Sequence, residues 1–185
     1  MKTLKDFIKE SQEINEGLFG DIVRKLLDTG LSWIGSSAKF IADQAVNATA
    51  EIWKTNKEAF VNVYKDFKRS HPEYNDILPA RISSPQDASE VYVDIFYNPN
   101  IAAKDKIEYA YGLINPYKNR GGQPGAIEAQ VARHAANCYN GICSNPKASN
   151  NDKKLAEDFL NNVVSTFNDD VKELIEYNLK KLKAK

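Results

Sequence analysis

Residues 40–72 read FIADQAVNATAEIWKTNKEAFVNVYKDFKRSHP. Phe40, Ile41, Ala45, Ala48, Ile52, Ala59, Phe60, Val63, Tyr64 and Phe67 recur there at helical spacing for almost thirty residues. A helix with such a stripe is stable only when that face lies against other elements. Pro72 lacks the amide proton that a further turn requires, so the helix must stop before it. Upstream, Leu18, Phe19, Ile22, Val23, Leu26 and Leu27 form a second apolar stripe, with Gly30 as its stop. Gly30, Ser32, Gly35, Ser36, Ser37 and Ala38 then read as a tight helix–helix turn, with Ser36 or Ser37 capping the long helix.

Beyond Pro72 the helical period lapses, and Pro79, Pro85 and Pro99 punctuate the chain. Val91, Tyr92, Val93, Asp94, Ile95, Phe96 and Tyr97 form a run, apolar apart from Asp94, that reads as a strand or as a buried helix segment. As a strand it would need a partner, either near Ala80–Ile82 or in another copy of the chain. Helices return at Ile101–Ile114 and from about Gly125 to Asn137. A last helix opens at the Ser149-Asn150-Asn151-Asp152 cluster, and Leu155, Phe159, Val163, Phe167, Val171, Ile175, Leu179 and Leu182 line its face. The expected class is mainly α, a helical bundle with at most one short strand pair. The expected organisation is a leader at 1–16 and a single helical domain at 17–185.

Lys+Arg 25 and Asp+Glu 25 cancel, which argues against a nucleic-acid coat and leaves no specific nucleic-acid partner expected. Hydrophobic residues at 42% suffice for a packed core, while no run approaches the roughly 18 apolar residues of a membrane span. Cys138 and Cys143 alone cannot make a disulfide framework, and the N-terminus lacks a secretory apolar stretch. A reducing bacterial cytoplasm fits this composition.

The chemistry-bearing residues are few. His134 and Cys138 lie four apart on a helix with Cys143 just beyond, but a structural zinc needs four ligands and the other histidine, His71, is distant in sequence. They read as core residues. The Gly121-Gly122-Gln123 triplet resembles the one that release factors present, yet loop geometry accounts for glycines followed by Pro124. No phosphate loop and no His-Glu-x-x-His occurs, and the carboxylates form no isolated pair. Neither a catalytic site, a metal nor a cofactor is expected. Gly17-Leu18-Phe19 resembles the start of amphibian membrane-active peptides, but Asp21 and Asp28 offset Arg24 and Lys25.

Met1 to Glu16 is an amphipathic segment, with Leu4, Phe7 and Ile8 on one face and a Thr3/Asp6 start resembling a capping box. A helix this short needs a partner surface to persist. Ile14-Asn15-Glu16 followed by the small residue Gly17 ends it. These residues resemble the capsid-targeting leader of internal head proteins of T-even-type tailed bacteriophages. In that family a leader opening Met-Lys-Thr, with Phe-Ile and acidic residues after it, binds the scaffold core. A prohead protease then cuts after Glu in a Leu/Ile-x-Glu motif. The resemblance covers only the first seventeen residues. Leu/Ile-x-Glu also occurs at Ile8-Lys9-Glu10, Leu155-Ala156-Glu157 and Leu174-Ile175-Glu176, where composition predicts about two in all. The site at Ile14, Glu16 and Gly17 differs in following a short leader and preceding a small residue.

The resemblance implies a virion protein held inside the phage head, with scaffold or capsid proteins and the prohead protease as partners. Ejected into the host cytoplasm, it would bind and block a host defence protein. A structural head, neck or core component is the alternative. A membrane-active protein using residues 18–46 is a third.

Overall fold

A computed structural model describes residues 38–118 and 125–183. Helix α1, Ala38–Ser70, realises the long apolar period, with one interruption at Asn56, whose φ of −158° and ψ of 52° leave the helical region. The break falls in the polar stretch Lys54-Thr55-Asn56-Lys57, and asparagine's side chain competes readily for backbone groups. The ring of Pro72 ends α1 and starts a short 3-10 turn, Pro72–Tyr74. The following loop is tied back to α1: the Tyr64 hydroxyl and Lys68 Nζ both donate to the Pro79 carbonyl.

Helix α2, Pro85–Tyr97, settles the ambiguous apolar run as helix. Pro85 stands at N1, Ser84 Oγ accepts from the Asp87 amide at 3.1 Å, and Asp87 Oδ2 accepts from the Ser84 amide at 3.0 Å. This reciprocal cap nucleates a helix just upstream of the run. Val91, Tyr92, Val93, Ile95, Phe96 and Tyr97 are then buried because α2 is covered on nearly every side, which a strand-like run also permits. Of the two readings of this run helix is the one found, and no strand occurs among the described residues, in keeping with a mainly α bundle.

Helix α3, Ala103–Ile114, begins two residues later than the apolar pattern suggested, after a turn in which the Ile101 amide donates to the Asn98 carbonyl. Helix α4, Ala126–Cys143, extends one and a half turns past Asn137. It enters through Gly125, whose φ of 95° disfavours any other residue and whose amide donates to Glu128 Oε2 at 2.7 Å. Val131, Ala132, Ala135, Ala136, Cys138 and Ile142 bury almost its whole circumference, and every other described helix packs against it.

The single closing helix is corrected to two, α5 (Asn150–Thr166) and α6 (Asp169–Lys183). Its apolar residues recur every four positions. At 100° per residue a spacing of four drifts 40° each step, so one straight helix cannot hold all of them on one face. The chain breaks at Phe167 (φ −104°, ψ −96°), and Asn168 Oδ1 accepts from the Val171 amide at 3.1 Å to restart it. Each half then aims its own stripe at α4, burying Phe159 and Val163 from α5 and Val171, Ile175 and Leu182 from α6.

Candidate functional site

The start of α3 carries two buried charges of opposite sign in consecutive positions, Asp105 at 3% exposure and Lys106 at 1%. Neighbouring helical positions point about 100° apart, so each charge meets a different part of the fold.

Asp105 faces the turn that ends α1. The Tyr74 hydroxyl donates to Asp105 Oδ2 at 2.7 Å and accepts from the Ala102 amide at 3.1 Å, which ties the turn to the start of α3. Burial first, then the Asp105 carboxylate, pushes the Tyr74 phenol up to about 12, so it stays a donor across the physiological range. His71 Nδ1 lies 3.8 Å from Asp105 Oδ2 and 3.5 Å from Glu73 Oε1, while Nε2 lies 3.3 Å from Glu108 Oε2. Phe67 holds the imidazole edge with ring centroids 4.7 Å apart. His71, Glu73 and Asp105 are the residues that could hold a divalent cation, since one ligand atom from each falls within 4.8 Å of the others. With the Tyr74 hydroxyl donating to Asp105 Oδ2 and the imidazole beside the Glu73, Asp105 and Glu108 carboxylates, we read the cluster as a clamp between the turn and α3. Tyr74→Phe should therefore cost about 2 kcal/mol in urea unfolding, because it strips a buried carboxylate and the Ala102 amide of one shared partner.

Lys106 faces α4. Its Nζ donates to the Gly141 carbonyl at 3.2 Å. That carbonyl belongs to the last turn of α4, where backbone acceptors have no helical donor, and the Asn145 amide goes to Ile142 instead. Burial pushes the amine down to about 8. No carboxylate pairs with it among the described residues. Lys106 also lines a cavity of about 200 Å³ whose other walls include the 99–103 turn, Ile142, Asn145, Lys147 and Asp152.

The residues singled out by sequence fall differently. Leu4, Phe7, Ile8, Ile14, Glu16 and Gly17 lie outside the described residues, as does the Gly121-Gly122-Gln123 triplet. His134 and Cys138 lie on α4 at 0% exposure. His134 Nδ1 is 3.2 Å from the Tyr92 hydroxyl oxygen, and burial, then Arg133, pushes the imidazole down to about 3. Burial likewise pushes the Cys138 thiol up, away from reactive thiolate. Cys138 and Cys143 are not joined in a disulfide.

Sequence reading missed Asp105 and Lys106. A signal existed for Lys106: it shares a helical stripe with Ala103, Ala110 and Leu113, where a solvated lysine does not belong. The clamp had none, because His71 and Asp105 are joined only by tertiary packing. Neither a protein-family model, a curated protein nor a solved structure matches the chain.

Proposed function

We propose that the chain is a bacteriophage virion protein, packaged inside the head through a cleavable N-terminal leader and delivered with the genome to the host cytoplasm. There it acts by binding and blocking a host defence protein and not by catalysis. The observation that carries this reading is Ile14-Asn15-Glu16 followed by Gly17, placed directly after an amphipathic segment bearing Leu4, Phe7 and Ile8. Such a segment suits reversible docking of its apolar face in a groove of the scaffold. Cleavage after Glu16 would make packaging irreversible by removing the docking helix. The reading is compatible with a body whose helices α1 to α6 bury one another's apolar faces, since these all begin well after Gly17.

The test is the N-terminal sequence of the protein recovered from particles. Gly17 as first residue is the expected result. A chain beginning at Met1 refutes cleavage, and absence from particles refutes packaging too. Ile14→Ala and Glu16→Ala should each abolish processing while leaving the thermal melt of the chain unchanged.

A further inference from the structure

The imidazole of His71 meets carboxylate oxygen at both of its nitrogens. Nε2 lies 3.3 Å from Glu108 Oε2, while Nδ1 lies 3.5 Å from Glu73 Oε1 and 3.8 Å from Asp105 Oδ2. A neutral imidazole has one proton for two nitrogens, so one of them turns a lone pair towards a carboxylate. Only a cation relieves that repulsion. Were the cation a second proton, it would draw nitrogen and oxygen to about 2.7–2.9 Å. At Nδ1 neither contact is that short, and the two oxygens stand at similar distances.

The separations suit an ion shared by all three atoms. Ligands at about 2.0–2.2 Å from one tetrahedral ion lie about 3.4 Å from each other. The two contacts of Nδ1 are close to that value, and the third separation is within 4.8 Å. Glu73 is more than half exposed, so its side chain can rotate to close the remainder and leaves an ion a way in from solvent.

The surroundings hold the other two ligands in place. Phe67 and Tyr74 flank the imidazole with ring centroids 4.7 and 5.9 Å away. The Tyr74 hydroxyl donates to Asp105 Oδ2, which keeps a further lone pair. Asp105 is buried, yet among the described residues no lysine or arginine pairs with it. Nε2 is buried without a hydrogen bond, and a small turn of the half-exposed Glu108 carboxylate would let it accept the Nε2 proton. That is the outer carboxylate that commonly fixes the tautomer of a metal-bound histidine.

We propose that His71 Nδ1, Glu73 and Asp105 bind a divalent transition-metal ion of the zinc type, with Glu108 as the outer partner of the imidazole. One nitrogen among the ligands favours zinc over magnesium or calcium, which take oxygen. Three protein ligands leave the fourth position to water. The ion cross-links the turn after α1 to the start of α3, and the site stands independently of the N-terminal leader.

The probe is zinc chloride, titrated by calorimetry into the full chain after treatment with EDTA and dialysis at neutral pH. One equivalent should bind with micromolar affinity, shifting the imidazole nitrogen resonances of His71 and leaving those of His134 in place. Glu73→Gln changes an exposed side chain, so its metal-free melting temperature should match the parent's. Its zinc affinity should fall at least tenfold. Millimolar magnesium should leave the parent's zinc affinity unchanged. Absence of saturable binding overturns the proposal and leaves a proton as the cation at His71. Undiminished affinity in Glu73→Gln, or affinity lost in a folded Cys143→Ser variant, overturns this ligand set. Displacement of zinc by magnesium overturns the assignment to a transition metal.

Discussion

Gly141→Ala should destabilise the protein by about 3 kcal/mol, although alanine is the better helix former by about 1 kcal/mol. The two effects have opposite signs, so urea unfolding decides between them. Gly141 lies in the last turns of α4, where that helix crosses the end of α2. A Cβ built there comes 2.8 Å from the carbonyl carbon of Phe96 and nearer still to its oxygen. The obstacle is backbone in a fully buried helix, so no rotamer change can relieve it. The helices would have to separate, loosening the packing of Phe96 and displacing the Gly141 carbonyl from Lys106. By contrast, a Cβ at Gly112 meets only the Val63 side chain, at 2.7 Å. Gly112→Ala should be milder because a side chain can yield.

Acid should unfold the protein through His134. The imidazole is neutral in the folded state, with burial pushing it down to about 3, while the unfolded chain takes up the proton near 6.5. A depressed folded value means that stability is complete above pH 6.5 and is lost as pH falls towards 3. The full span corresponds to about 5 kcal/mol. Carboxylates add their own acid dependence, so the test is the difference between the parent and His134→Gln, which offers Tyr92 a hydrogen-bond partner that does not titrate. Chemical unfolding at pH 7 and pH 4 should show the parent losing several kcal/mol more than the variant. Equal losses would mean that His134 gains a proton without cost.

The acid-sensitive histidine was legible as a core residue, since its neighbours Val131, Ala135 and Cys138 share its helical face. What could not be read was its complete burial, to which α2 contributes Tyr92 from 42 residues away. The same limit applies to Val91–Tyr97. A run apolar at every position but Asp94 says that nearly all faces are covered, and both a central helix and an inner strand satisfy that statement. The cap at Ser84 and Asp87, a local signal, resolves it in favour of helix. The last stripe hid its break because each apolar residue follows the previous one at a helical interval. Only the accumulated drift over several turns forces Phe167 out of line.

The sequence by itself determined that this chain is built from helices, where most of them start and stop, and which faces they bury. Those properties follow from spacing and capping between residues a few positions apart. Only the tertiary structure decided that Asp105 and Lys106 would both be buried at adjacent positions, one clamped to His71 and Tyr74, the other beneath the end of α4. Burial of a charge depends on which helix covers it, and that covering comes from chain segments about 30 residues away. The stripe of Ala103, Ala110 and Leu113 marks Lys106 as covered, but no short-range pattern says by what, and none marks Asp105.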